Sequence, residues 1–566
     1  MMRLTTYVAL FSVLVALLLS PTLAYRDSGY DISFWNFTAI CDPTMGEIGK
    51  WEELPGGVLK SRANYFSENY GGSPVLIDCI IYRPKAEGKY PAVIVFHGSF
   101  GSADSMAYIT EEIARHGYVG LAVSGPGQGR STGPSETNEN RLNLTSGPYY
   151  SYYYRLLYSA MRGITFLTEL PFVDPGELAA IGASQGGLEC LWLSALDPRL
   201  KACIPVVAGG DFALLVKKGS FALGHLPKNM RADDPRALSL MRFFDPIAYA
   251  RESKIPVLML VGTSDEFFPL QSYNETFNAL NSPKAINILP STGHFVVKQE
   301  WIDAGILWLS NWLKGQGEFP KISFESISQT SDGILIRARG ENIESLVLNY
   351  RESWPWSRWQ TQDMERDGDV YTFKLSYSLT GYLLSIGGLI GGKQVASSDV
   401  RATNPNLLAG GSPYIFISCA FAIFWLARMS LQRNWVHGLE RSFIWLLFWL
   451  SFFLPLLIGA SVISIDIWTL STTFQLWIPW WLSLSIALLL PFGLYWVAGS
   501  ELWLKFLTTG CAVVTAIAVL SLLNYFTGHT AVGPGWVLPV QVLISVCVLF
   551  EDRISLILGR LKQRAS

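Results

Sequence analysis

Glu177-Leu178-Ala179-Ala180-Ile181-Gly182-Ala183-Ser184-Gln185-Gly186-Gly187-Leu188-Glu189-Cys190-Leu191-Trp192-Leu193 decides how the chain is read. Its first five residues are apolar and strand-like, and the residues from Gly187 onward read as a helix. Between them, Gly182-Ala183-Ser184-Gln185-Gly186 sets a serine on a sharp strand-to-helix turn. Such a turn is strained and brings the flanking backbones together, so glycines stand where a Cβ would collide. A serine held there can serve as a nucleophile if a base lies within reach. The motif is short, and its neighbours decide its meaning.

Three further segments fall where that reading requires them. Pro91-Ala92-Val93-Ile94-Val95-Phe96-His97-Gly98 is a buried strand ending in a His-Gly turn. Pro256-Val257-Leu258-Met259-Leu260-Val261-Gly262 is a second, with Asp265 just beyond it. Lys284-Ala285-Ile286-Asn287-Ile288-Leu289-Pro290 is a third, followed by Ser291-Thr292-Gly293-His294. The order Ser184, Asp265, His294 is that of the α/β-hydrolase fold. Of the six histidines only His294, His437 and His529 follow Asp265, and the last two lie in hydrophobic sequence, which leaves His294 as the base. Glu266 also offers a carboxylate, and Asp265 is favoured because it stands closer to the strand end. In this chemistry His294 takes the Ser184 proton, and Asp265 holds the imidazole tautomer and stabilises the imidazolium. Backbone N–H groups of Gln185 and Ser99 are the expected oxyanion donors.

Val173-Asp174-Pro175-Gly176-Glu177 through Gly187, together with Ala195-Leu196-Asp197-Pro198-Arg199-Leu200-Lys201-Ala202, resembles the acetyl xylan esterase / cephalosporin-C deacetylase group. Asp265-Glu266-Phe267-Phe268-Pro269 and Gly293-His294 resemble that group's acid and histidine motifs. The resemblance covers roughly residues 60–315 and implies an eight-stranded, mostly parallel sheet and a serine esterase mechanism. It departs at Ser124-Gly125-Pro126-Gly127-Gln128-Gly129-Arg130-Ser131, where many relatives have an aspartate before the Gly-x-Gly-x-Ser turn, and at the heavy aromatic run Tyr149–Tyr154.

Composition adds the surroundings. Of 566 residues, 50% are hydrophobic and 16% charged, with a mean hydropathy of +0.28, which is too apolar for a wholly soluble chain. A net charge of −2 without a basic face argues against nucleic acid as a partner. Residues 1–24 combine Arg3, an apolar core and small residues, and read as a signal peptide or an uncleaved anchor. From about Leu407 the expected spans are 407–428, 442–464, 474–498, 502–526 and 535–551. Arginine and lysine fall on alternate connections and on the tail, which puts the C-terminus in the cytoplasm and residue 406 outside. Charges stand at span ends, so an anchor or a bundle that binds a membrane protein partner is expected rather than a transporter.

The expected organisation is therefore a leader (1–24), an α/β-hydrolase domain (25–315) with a cap insertion near 209–246, a small β-sandwich of the immunoglobulin or fibronectin type (316–406), and a transmembrane domain (407–566). The cap would bring Phe212, Leu214, Phe221, His225, Leu226 and Met230 over the nucleophile. Trp354-Pro355-Trp356-Ser357-Arg358-Trp359 offers either sugar stacking or packing against a neighbour. Cys41 with Cys79 is compatible with a disulfide in an oxidising exterior, and Asn36, Asn143 and Asn274 open glycosylation sequons. No metal or cofactor is called for by any His or Cys spacing.

The expected activity is cleavage of small esters or carbohydrate esters, acetyl esters included, at the outer face of a lipid bilayer. Two alternatives stand beside it. One is a peptidase of the prolyl-oligopeptidase kind, which uses the same triad but usually carries a large β-propeller before it. The other is a receptor or assembly protein with a vestigial hydrolase domain, against which the intact Ser184, Asp265 and His294 speak.

Overall fold

The computed structural model describes residues 30–403, apart from 36–37, 145, 219, 221–233, 331–332, 353–357 and 377–381. The leader and the five expected spans lie outside the described residues, as do Phe221, His225, Leu226, Met230, Trp354, Trp356 and the sequon at Asn36. Among the described residues no helix is long and apolar enough to cross a membrane.

Eight strands form the frame: β1 (Val58–Tyr70), β2 (Ser73–Pro84), β3 (Tyr90–Phe96), β4 (Val119–Val123), β5 (Val173–Ala183), β6 (Leu200–Val206), β7 (Val257–Gly262) and β8 (Lys284–Leu289). Their spatial order is β1-β2-β4-β3-β5-β6-β7-β8. β1, β2 and β4 pair antiparallel, and pairing is parallel from β4 through β8. This is an α/β-hydrolase sheet.

The residue pattern explains the arrangement. β4 and β7 are buried at every position, as strands covered on both faces must be, whereas β1 alternates between buried and half-exposed residues. On β3, Ala92, Ile94 and Phe96 face one core, while Val93 and Val95 face the other, the two-residue period of a strand. Helices α1 (Ala107–Arg115), α2 (Tyr152–Glu169) and α3 (Gln185–Leu196) are followed by α4 (Phe212–Lys218), α5 (Pro235–Phe244), α6 (Pro246–Glu252), α7 (Leu270–Ala279) and α8 (Gln299–Lys314). α2 and α3 supply the first core; Ile113 of α1 and Trp308 of α8 belong to the second.

Beyond α8 lie β9 (Lys321–Thr330), β10 (Gly333–Glu341), β11 (Ser345–Glu352), β12 (Val370–Leu375), β13 (Tyr382–Ile390) and β14 (Lys393–Ser397). They form two layers over one core that includes Phe324, Ile336, Leu348, Tyr371, Leu384 and Ile386. One layer, β9-β10-β12, is a separate sheet. The other, β14-β13-β11, joins β8 antiparallel and continues the hydrolase sheet, so no gap in the sheet marks the expected boundary at 315/316.

That seam is polar and buried. Gln394 Nε2 donates to Asn287 Oδ1 and Ile288 O, both at 2.8 Å, and Asn287 Nδ2 donates to Gln394 O at 3.0 Å. Asn349 Nδ2 donates to Gln394 Oε1 at 2.8 Å. Nearby, Asn274 of α7 is buried and bonds both the O and the N–H of Val400, so its amide is committed inside the fold. Asn143 is exposed. Cys41, Cys79, Cys190 and Cys203 are free thiols, Cys41 exposed and the others buried.

In the expected cap, Phe212 is buried in the first core, and no described residue of 209–246 lines the cavity at Ser184. The aromatic run divides. Tyr152 and Tyr153 are buried, while Tyr154 stacks on Trp35 at 4.8 Å and Tyr149 meets Phe34 edge-on at 6.0 Å. The run thus packs the segment at Phe34 and Trp35 onto the domain.

Gln394→Leu leaves Asn287 Oδ1, Asn349 Nδ2 and Ile288 O without their side-chain partner in the seam. Equilibrium denaturation is expected to show a loss of about 2–4 kcal/mol, and a change under ~0.5 kcal/mol would mean that the seam contributes little.

Candidate active site

Ser184 stands between β5 and α3, capping the helix, with φ 56° and ψ −113°, a region costly to any side chain. The turn closes only because glycines flank it. A Cβ on Gly182 would lie 2.3 Å from Gly186 O, and one on Gly186 would lie 2.6 Å from Phe96 O. Ser184 N–H donates to Val206 O at 2.9 Å, which fixes the turn to the end of β6.

The loops after β7 and β8 bring two more side chains to it. His294 Nε2 stands 2.9 Å from Ser184 Oγ, and His294 Nδ1 stands 2.9 and 3.1 Å from the two Asp265 oxygens. The Asp265 and His294 side chains are both buried. This geometry suits the tautomer protonated at Nδ1, with the Nε2 lone pair facing the hydroxyl. Asp265 also accepts the N–H groups of Phe267 and Phe268 at 2.8 and 2.9 Å and the hydroxyl of Tyr273. Burial, and the carboxylate beside it, push the Tyr273 phenol far above its ordinary pKa, so it remains a donor. Glu266 serves differently: its carboxylate accepts the backbone N–H of His294 at 3.1 Å. The two adjacent carboxylates divide the histidine between them, Asp265 taking the ring and Glu266 the main chain.

Gln185 is the first residue of α3, where a helix leaves its N–H without an intrahelical acceptor. Ser99 lies in a turn in which Gly101 N–H donates to Gly98 O at 3.0 Å and Phe100 N–H donates to Glu136 at 3.0 Å. Ser99 Oγ donates to Gln185 Oε1 at 2.7 Å, so the two expected oxyanion residues are tied side chain to side chain. His97 secures the same turn. Its Nδ1 donates to Gly98 O at 2.6 Å and its Nε2 accepts Gly125 N–H at 2.9 Å, while burial lowers its pKa and keeps it neutral.

Arg141, which motif reading does not single out, sits at the centre of this cluster. Its Nη2 donates to both Ser99 Oγ and Gln185 Oε1 at 3.0 Å and pairs with Glu136, which also accepts from Gln128. Arg141 and Glu136 are both buried. In sequence they stand in a Gly-, Pro- and Ser-rich stretch where charges ordinarily read as solvated. Tyr273 carries no local signal either, being eight residues past Asp265.

Ser184 and His294 line a cavity of about 910 Å³ together with Ser99, Gln185, Arg141 and Phe267. Among the described residues no cluster of His, Cys, Asp and Glu could hold a metal ion.

The strand order and the elbow are those of the α/β-hydrolases. The acetyl xylan esterase (AXE1) family model matches residues 64–312. The chain is similar to acetyl esterase Axe7A of Xylanibacter ruminicola, 27% identical over 249 residues, which is 41% of this chain and 55% of that one. It is similar to cutinase est2 of Thermobifida alba, 29% identical over 153 residues, 27% of this chain and 44% of that one. The chain thus spans about half the length of these curated relatives. Among solved structures, the acetyl xylan esterase from Paenibacillus sp. R4 aligns with 51% of this chain and 98% of its own at 20% identity, with a TM-score of 0.42.

Two expectations follow. Arg141→Met strands a buried Glu136 carboxylate and is expected to lower stability by about 3–5 kcal/mol in denaturant titration; adding Glu136→Gln should recover most of it. Glu189, on α3 behind the elbow, is buried beside Phe96 and His97, and burial raises its carboxyl pKa well above the ordinary value of 4.5. The folded state therefore holds that proton longer than the unfolded chain, and stability falls as pH rises above about 4.5. Thermal melts should show Glu189→Gln stabilising at pH 7–8, with the gain vanishing toward pH 4.

Proposed function

We propose that the chain is a membrane-anchored, extracytoplasmic serine hydrolase that cleaves carboxylic esters through an acyl-enzyme. The observation that carries the reading is the continuous link from Ser184 Oγ through His294 to Asp265 at the wall of a cavity. Ser184 Oγ attacks the ester carbonyl carbon as His294 Nε2 takes its proton. The tetrahedral oxyanion is met by the N–H groups of Gln185 and Ser99, held in register by the Ser99–Gln185–Arg141 bonds. His294 then returns the proton to the departing alkoxide, which leaves as an alcohol. Water attacks the acyl-Ser184 with His294 again as base, and the carboxylic acid is released. Asp265 keeps the imidazole oriented and stabilises its charged form.

The finer substrate reading, acetyl esters on carbohydrate, rests on the names of the matching family and of Axe7A. The membrane reading rests on the apolar stretches from 407 and the alternation of arginine and lysine between them, which puts the hydrolase outside and the C-terminus in the cytoplasm.

With full-length protein and p-nitrophenyl acetate, Ser184→Ala is expected to abolish turnover. Asp265→Asn should lower kcat by about 10⁴-fold, whereas Glu266→Gln should stay within about tenfold of wild type, because a glutamine can still accept from the His294 main chain. Equal losses in the last two would overturn the division of roles. Turnover of aminoacyl anilides in place of esters would establish the peptidase instead.

A further inference from the structure

The cavity does not end at Ser184. It continues between α1 and α8 over the ends of the central strands. Its floor includes Ile181 of β5 and Leu260 of β7, and its walls include Ile109 and Ile113 of α1 and Ile306 and Leu309 of α8. On α8 the lining residues run from Trp301 to Leu309, so this arm runs for about 12 Å along that helix at 1.5 Å per residue. The polar groups Ser99, Gln185 and Arg141 are bonded to one another beside Ser184. One carboxylate, Glu112, stands on the α1 wall with His116 Nδ1 3.6 Å away.

Size and surface both argue against an acetyl group as the occupant. A volume of about 910 Å³ is that of a site for a ligand of many atoms, and an acetyl group would leave most of the apolar wall uncovered. The rim agrees. Phe100, Tyr108, Phe295, Val296 and Val297 all border the cavity, and they are five of the ten large apolar side chains exposed among the described residues. Apolar surface gathered at one mouth marks a binding face more often than chance exposure does.

We infer that the arm between α1 and α8 is an acyl-chain site, and that the ester cleaved at Ser184 carries a medium- or long-chain aliphatic acyl group. This rests on the ester-hydrolase reading but not on the acetyl one. The bond from Ser184 Oγ to the acyl carbon forms and the bond from that carbon to the alcohol oxygen breaks. The proton passes through His294 to the alcohol, and the chain lies in the arm until water releases it as a fatty acid.

Gly305 gives the test. It lines the arm from α8, and a Cβ there would meet nothing closer than Ile204 Cδ1 at 3.8 Å, so a larger residue enters the cavity without disturbing the helix. The full-length chain in lipid nanodiscs is assayed with p-nitrophenyl esters from acetyl to decanoyl below their micelle concentrations. We expect kcat/KM to rise about fourfold per methylene over the first several, the fold-change equivalent to ~0.8 kcal/mol per buried CH₂. Gly305→Leu should lower the decanoyl-to-acetyl ratio at least tenfold, and Ile109→Trp, from the opposite wall, should do the same. A flat chain-length profile, or a ratio unmoved in both variants, overturns the inference while acetyl turnover leaves the ester reading standing. Absence of all ester turnover overturns the ester reading. In that case, calorimetric binding of decanoate to the Ser184→Ala protein, lost when Gly305→Leu is added, would still support the apolar-chain site.

Discussion

The close approach of β5 and α3 at Ser184 is the constraint on which the other features of the site depend. A serine at φ 56° holds its hydroxyl clear of both elements, and that conformation costs of the order of 1–3 kcal/mol. It persists because the chain on either side has nowhere else to go. Gly186 lies against the last carbonyl of β3, Gly182 lies against Gly186, and Ser184 N–H is bonded to the end of β6. Three strands and a helix thus agree on one position for one oxygen atom. The same approach sets the N–H of Gln185 at a helix start, so the hydroxyl and the first anion donor come from a single turn.

Around this turn, polar groups are buried in pairs that compensate each other rather than singly. Glu136 has Arg141 and Gln128; Asp265 has His294, Tyr273 and two backbone donors; Gln394 has Asn287 and Asn349. Each cluster ties together loops or strands distant in sequence, which apolar packing alone would hold with less precision in direction. The seam at Gln394 has a bearing on the site, because the strand it supports, β8, leads directly into the loop that carries His294.

Legibility in sequence follows the range of the interactions. Ser184, Asp265 and His294 stand at strand ends whose apolar runs mark them, and the structure brings the three side chains together. Strands β3, β5, β7 and β8 are readable from the same apolar runs, whereas the count of eight is what the family resemblance implies. Arg141 was not, because its role lies in partners 42 and 44 residues away, and a loop arginine otherwise looks solvated. The continuity of the β14-β13-β11 layer with β8 was equally hidden: Gln394 and Asn287 are 107 residues apart, and neither shows in a hydrophobic pattern. Phe212 read as a cap residue because apolar side chains in a loop-rich insertion do not say which way they face; it faces the core. The cavity arm between α1 and α8 could not be read at all, since its walls use the same isoleucines and leucines as ordinary packing.

The extension of the sheet past β8 also settles what that edge can no longer do. A terminal strand presents a row of unpaired N–H and C=O groups that invites another chain to add on. Here β14 pairs with β8, and at the far end the short strands Glu47–Ile48 and Glu52–Leu54 pair with β1. Self-association by strand addition at the outer margin of β8, a route open to a bare hydrolase sheet, is pre-empted by the chain's own C-terminal strands. The sheet's margin passes instead to the short strand Gln360–Asp363, which pairs with β11 and is exposed at every position.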